Sequence, residues 1–327
     1  MSLNTTQSGA FIDAQVYDDF ILTNLPAYQL PEGMWRDVSM FGNGTTLNIK
    51  TIGSTTIQDL SEDVEPNFTP IDTNTLTLTI SDWVGDAWYI TDRLREDGSQ
   101  IDALLSQRAL ESTRALAEYH ETRFLSVANT AQTNANVNLF NGRPHRWVAG
   151  GSGATNRLMT MNDLIAMKFA FDKANVPSDG RIAIVDPGVE ASLNSLTNIV
   201  NASNNPNFEG IITDGFVKTH RFVRNIYGWD IWTSNFLPTK TATEALNASS
   251  YQLANDTAEI GDVANIFMCV SDDNCKPIAH AWRRMAKTET WRDHKMERDA
   301  FKTSSRFGMA AQRTETLGVI FTNPASY

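Results

Sequence analysis

Between residues 46 and 80 the chain alternates apolar and polar positions in two short runs, Thr46–Ile52 and Thr75–Ile80. Leu47 and Ile49 share one face of the first, and Leu76, Leu78 and Ile80 share one face of the second. Thr or Asn residues occupy the opposite faces. A period of two over such lengths predicts a β-ribbon with one greasy side. Its connection, residues 53–74, carries Asp59, Glu62, Asp63 and Glu65 and two prolines but few large apolar groups. A lone two-stranded ribbon is marginal in water, so its apolar side has to lie on the chain's own body or on a neighbouring molecule.

The pattern then changes period. From Ser99 to Thr130 no Gly or Pro intervenes, and Ile101, Leu104, Leu105, Ala109, Leu116, Tyr119, Phe124 and Val127 recur at helical spacing. Ser99 and Asp102 stand at capping-box spacing. A helix of this length spans roughly 45 Å at 1.5 Å per residue, the dimension of a spine. Ahead of the ribbon, residues 1–45 mix polar stretches with scattered aromatics, an extended arm with one short helix near residues 13–24. Beyond the spine, 134–157 reads as loop. Thr160 and Asp163 form a second capping box, opening a helix to Ala174. Arg181–Val185 is a short buried strand, and Pro187 opens another helix, to about Leu196. The 222–238 stretch gives strand, turn at Tyr227–Gly228, strand. Residues 239–262 read as loop, 265–270 as strand, and 278–321 as strand-rich. The fold class is α+β.

Charge and composition narrow the function. The 327 residues are 41% hydrophobic and 20% charged with a net charge of −11, enough apolar content for sizeable cores and the wrong sign for a chain that grips phosphate backbones. Two cysteines give no disulfide framework. The N-terminal residues lack a basic and apolar leader, and no apolar run approaches the ~18 residues of a membrane helix.

The candidate chemical motifs each lack an essential part. His120 and Glu121 begin like a zinc-protease helix, but Phe124 stands where the second ligand belongs. Cys269, Cys275, His280 and His294 match no common zinc spacing. Gly150–Gly153 lacks the final glycine of a nucleophile elbow and the Lys-Ser/Thr of a phosphate loop. Between His280 and Arg298, six basic residues and two tryptophans alternate with Glu289, Asp293, Glu297 and Asp299, a pattern better suited to ion-pair networks within or between subunits than to a phosphate track. No catalytic, cofactor or metal residue is expected.

The order of elements, spread over residues 40–325, resembles the major capsid protein of tailed double-stranded DNA bacteriophages, with its Hong Kong 97-like capsid fold. The strand Leu76–Ile80 leading into the spine, Ala183–Pro187 followed by a helix, the Asn225–Trp232 segment running to Pro238, and Arg306–Met309 followed by Leu317–Phe321 carry the likeness. The resemblance implies an N-terminal arm (1–45), an extended hairpin loop (46–92), a peripheral domain with the spine helix (93–159 and 279–327) and an axial α/β domain (160–278). It implies a non-enzymatic virion protein, made and assembled in the host cytoplasm, that self-assembles into pentamers and hexamers. Their icosahedral shell would enclose double-stranded DNA without sequence-specific binding, with scaffolding, portal and decoration proteins as further partners. Inter-subunit contacts are expected at Leu47, Ile49, Leu76, Leu78, Ile80, Arg283, Arg284, Arg292 and Glu297. Some relatives crosslink a hairpin lysine to a neighbour's asparagine; Lys50, the only lysine before Lys168, lies near the hairpin base, which argues against that chemistry here. The competing reading is a cytoplasmic α/β enzyme or ligand-binding protein with the hairpin as a lid. It requires a pocket of convergent polar groups.

Overall fold

The computed structural model describes residues 30, 33–40, 44–53, 57–60, 62, 65, 67–68, 70, 73–97, 101–131, 139–150, 157–195, 225–246 and 257–323. The arm helix expected near 13–24, the Ser99 cap, Gly151–Gly153, the 201–210 loop and the first part of the 222–238 strand lie outside these residues. In chain order come β1 (Arg36–Asp37), β2 (Thr46–Ile52), β3 (Thr73–Thr79), β4 (Asp82–Thr91), α1 (Asp92–Asp97), α2 (Ile101–Thr130), β5 (Leu139–Phe140), β6 (Arg143–Pro144) and β7 (Arg146–Val148). There follow α3 (Met161–Lys173), β8 (Arg181–Val185), α4 (Pro187–Ser195), β9 (Asn225–Ile226), β10 (Trp229–Thr233), β11 (Glu244–Ala245), β12 (Thr257–Ala258), β13 (Val263–Cys269), β14 (Ile278–Asp293), β15 (Arg298–Ala311) and β16 (Leu317–Thr322).

Two sheets organise these elements. The six-stranded one runs β7-β16-β13-β8-β10-β9 and the four-stranded one β1-β14-β15-β4. Because the first is covered on both faces, its strands β8, β13 and β16 read as near-continuous apolar runs. Ala183, Val185 and Phe267 point to a core under α3 and α4 with Leu164, Met167, Phe171 and Val189. Their neighbours Ile182, Ile184, Ile266 and Met268 face a second core that contains Phe124, Leu125 and Ala128 of α2. That second core also takes Ile278, Phe307 and Met309, so the C-terminal half of the spine is the joint between the sheets. Gly318 of β16 makes room for α3: a methyl group there would lie 2.5 Å from the Met167 sulfur.

Local rules account for the helix start at Thr160. The Asp163 carboxylate accepts the Thr160 backbone N–H (2.9 Å) and hydroxyl (2.7 Å), and Trp147 Nε1–H bonds the same carboxylate at 3.3 Å. Burial pushes the Asp163 carboxyl up, against the lowering influence of these bonds.

The structure departs from the sequence reading in three places. Residues 82–91, assigned to the hairpin loop, form β4, which pairs with β15 from Phe307↔Asp82 to Arg298↔Thr91. The β7 and β16 strands belong to the six-stranded sheet, which therefore draws chain from both segments assigned to the peripheral domain. Residues 239–262, read as loop, contain the short β11–β12 pair.

A candidate subunit interface

The ribbon β2–β3 has a root and a tip with different surroundings. At the root, Leu78 and Ile80 are 0% and 4% exposed. They pack on Ala279 and Ala281 of β14, with Val38, Leu47 and Ala310 alongside. Alanines on β14 and Gly308 on β15 let the ribbon come this close. The expectation that Leu78 and Ile80 face a neighbouring subunit is therefore corrected: they are spent inside the fold, because the sheet supplies the apolar surface they need. Leu47 is half-buried at the same root.

Further out the ribbon leaves the body. Ile49 and Leu76 are cross-strand partners and partly exposed. Beyond them Ile52, Ile57, Leu60 and Phe68 stand 76%, 99%, 73% and 79% exposed. The loop is cross-braced, since the Gln58 amide donates to the Asn67 carbonyl and accepts the Asn67 N–H, each at 3.1 Å. Asp59, Glu62 and Glu65, all exposed, are interspersed with these apolar groups along the chain. The result is an acidic tip with wet hydrophobics, which a stable monomer has no reason to display together.

The four-stranded sheet offers a second exposed face. Even-numbered β4 residues turn to α2: Asp82 pairs with Arg123 at 2.9 Å, and Asp86 with Arg108 at 2.7 Å and Ser112 at 2.6 Å. Trp88 stacks on Phe301 with centroids 4.2 Å apart. Odd-numbered residues point away, leaving Trp83 and Tyr89 66% and 59% exposed. Antiparallel register sets Arg306 opposite Trp83, Lys302 opposite Ala87 and Arg298 opposite Thr91 on this outer face. Lys302 lies over the Trp83 ring at 5.4 Å and Arg298 over Tyr89 at 4.6 Å. On β14 the same face takes Arg284, Lys287, Glu289, Trp291 and Asp293. The face is aromatic and carries more bases than acids, the reverse of the tip.

The charged residues expected at contacts are partly engaged within the chain. Arg292 pairs with Asp92 and, at 3.1 Å, with Asp299, which also accepts Arg95 at 2.9 Å. Its hydrogen bonds to Asp92 and Asp299 hold the Arg292 guanidinium above its ordinary range. Arg284 donates to the Ser304 hydroxyl. Glu297 holds a left-handed φ of 46° at the β14–β15 turn, where its carbonyl accepts the Asp92 N–H at 3.0 Å. Arg283 is exposed. Trp83, Tyr89, Lys302 and Arg306 were not among the contacts expected from the sequence, because large apolar groups on both faces of 82–91 disguise its alternation.

Among the described residues no three His, Cys, Asp or Glu side chains converge as a metal site. Cys269 is buried in the core under α3, its Sγ 3.5 Å from the Asp179 carbonyl, while His280 lies in the other sheet against His120 at 3.1 Å.

A spine wedged between two sheets, the short strand β1 at a sheet edge and a projecting ribbon define a shell-building class, the Hong Kong 97-like capsid fold. The capsid protein of the cyanophage P-SCSP1u superposes with a TM-score of 0.71 at 16% identity, over 99% of this chain and 97% of that one. The mature capsid of bacteriophage PhiM1 gives 0.68 at 12% identity, over 94% and 91%. A Mycobacterium phage Che8 structure gives 0.64 at 15%, over 94% and 96%. No curated protein sequence is significantly similar to the chain. A family model described as phage capsid protein matches residues 73–320, and the chain belongs to that family. It is a major capsid protein of a phage virion, structural rather than catalytic, and it associates with copies of itself. The lid-bearing enzyme reading is not supported.

Proposed function

We propose that the chain assembles into pentameric and hexameric capsomers of an icosahedral shell around double-stranded DNA, with each ribbon tip laid on the outer sheet face of the next copy. The observation that carries this reading is the opposition of the two surfaces. One is apolar and acidic (Ile57, Leu60, Phe68, Glu62, Glu65); the other is aromatic and basic (Trp83, Tyr89, Arg298, Lys302, Arg306). Complementary fields fix register and partner choice, and many modest contacts per copy add up in a closed assembly. The axial part is the six-stranded sheet with α3 and α4, and the peripheral part is the four-stranded sheet with α2. Scaffolding, portal and decoration proteins are further partners, assembly takes place in the host cytoplasm, and the net charge of −11 limits adhesion of packaged DNA to the wall.

Charge reversal tests it. Lys302→Glu with Arg306→Glu abolishes particles in electron micrographs while the subunits stay soluble, and Glu62→Lys with Glu65→Lys in the same chain restores them. Normal particles from the first variant overturn the tip-on-sheet contact.

A further inference from the structure

One cluster has no part in the contacts above. His120 of α2 and His280 of β14 face each other with Nε2 atoms 3.1 Å apart, at 8% and 0% exposure. Aromatic rings close the site. Trp282 stacks on His120 at 4.9 Å and 12°, Trp35 meets His120 edge-on at 5.1 Å and His280 at 5.6 Å, and Phe307 lies 5.0 Å from His120.

At that distance one Nε2 carries a hydrogen and the other a lone pair. The buried Nδ1 of His280 has no hydrogen-bond partner among the described residues. A buried N–H without an acceptor is the costlier orphan. The favoured tautomers therefore place the shared hydrogen on His280 Nε2 and a proton on His120 Nδ1. Protonating both rings would put two N–H groups and two like charges nose to nose, and the rings would have to part.

What the pair holds is a strap. Residues 33–40 run along the sheet edge, with β1 parallel to β14 so that Asp37 stands in register with His280. The Val38 N–H donates to the His280 carbonyl at 2.8 Å, and the Trp282 N–H to the Ser39 hydroxyl at 2.8 Å. Trp35 rests on the two imidazoles, and Val38 packs against the ribbon root beside Leu78 and Ile80. Spine, strap and ribbon root thus meet at one titratable contact.

We propose that the His120–His280 pair is an acid-opened latch: neutral, it clamps α2 to β14 and seats the 33–40 strap; doubly charged, it releases the strap and loosens the ribbon root. Among the described residues the charged groups nearby are few. From β1, Asp37 favours the charged form of His280, but it is exposed and occupied by Ser39. On α2, Glu121 is turned to the Leu30 N–H and the Ser234 hydroxyl, and Arg123 is taken by Asp82 of β4. From β15, Phe307 and Met309 bring no charge. Burial accordingly pushes both imidazoles down to about 4. This inference does not depend on where the ribbon tip docks.

The test is hydrogen exchange on the full chain from pH 7 to pH 4, corrected for intrinsic rates, with β8 and β13 as internal reference. Amides of residues 35–39 are expected to lose at least tenfold in protection over that range while the reference strands hold. A double variant, His120→Gln with His280→Gln, keeps one amide hydrogen bond at the same reach without titrating, and should retain strap protection at pH 4. Unchanged protection in the wild-type strap, or the same loss in the double variant, overturns the proposal. Should the double variant not fold, imidazole NMR of the wild type decides. Ring titration and strap opening sharing one midpoint supports the latch; separate midpoints refute it.

Discussion

Gly308 of β15 and Ile80 at the foot of the ribbon touch backbone to backbone: a methyl group on Gly308 would lie 2.8 Å from the Ile80 Cα and against the Thr79 carbonyl. The direction in which the ribbon leaves the body is set here, by a missing side chain. The neighbouring contacts agree, since Ala279, Ala281 and Ala310 are the small residues on which Leu78 and Ile80 sit.

Filling that gap should move the ribbon. Gly308→Val is expected to destabilise the subunit by about 1–3 kcal/mol, the usual cost of overpacking. Particle formation should fall further than this loss explains. Urea denaturation of the subunit and electron microscopy of the same preparation separate the two effects.

Root and tip should respond in opposite ways to truncation. Leu78→Ala removes a fully buried side chain and should cost roughly 2–5 kcal/mol of subunit stability. Leu60→Ser and Phe68→Ser change exposed positions and should leave stability within about 0.5 kcal/mol, yet abolish assembly. Thermal melting paired with a sizing column reads both.

These two outcomes also mark how far the sequence could be read. Alternation of Leu47, Ile49, Leu76 and Leu78 announced a ribbon with one apolar side, because period two is a local property of the backbone. It did not say what covers that side, since Ala279 and Ala281 lie some 200 residues along the chain. The spine was legible for the same local reason, and α2 runs to the expected Thr130. In β4, by contrast, both faces carry large apolar groups, Trp83 and Tyr89 outward, Val84 and Trp88 inward. Its alternation was disguised, and its partner β15 is more than 200 residues distant. The β16 strand looked like its neighbours β14 and β15, but Leu317–Thr322, fully buried on both faces, fits only the covered sheet. His120 gave no signal of its partner, because a hydrogen bond across 160 residues leaves no mark on spacing.

Acid should weaken the subunit in two steps. His120 and His280 have folded-state values near 4, below their ordinary 6.5, chiefly through burial. The unfolded chain therefore binds more protons between those limits. Their contribution is complete above about pH 6.5 and is lost progressively down to about pH 4. Burial pushes the Glu244 carboxyl up, but Arg146 and Lys240 outweigh it and hold it below its usual 4.5. That contribution goes only as the pH falls below 4.5. Thermal melts from pH 7.5 to 3.5 should show a Tm that is flat, then falling. In the His120→Gln, His280→Gln variant the fall should begin near pH 4.5.

The last prediction weighs two arginines that look alike in sequence. Arg146 of β7 is wholly buried: Nε and Nη2 donate to Glu244 at 3.0 and 2.8 Å, Nη1 donates to the Asn129 carbonyl at 3.0 Å, and the Phe321 ring lies 4.6 Å from its guanidinium carbon. Arg292 makes two carboxylate pairs but is about one-third exposed. Removing Arg146 leaves the largely buried Glu244 carboxylate with Lys240 as its one ion-pair partner, so Arg146→Ala should cost about 3 kcal/mol, the low end for breaking a buried pair. Arg292→Ala should cost far less, because water replaces the lost partner and screens the remaining charge. Arg146→Ala with Glu244→Gln should recover part of the loss, because a neutral amide needs less compensation than a buried carboxylate left with Lys240 alone. Denaturant midpoints for the three variants at low and high salt decide the matter: only Arg292→Ala should approach the wild type as salt rises, and equal losses for both single variants would contradict the burial argument.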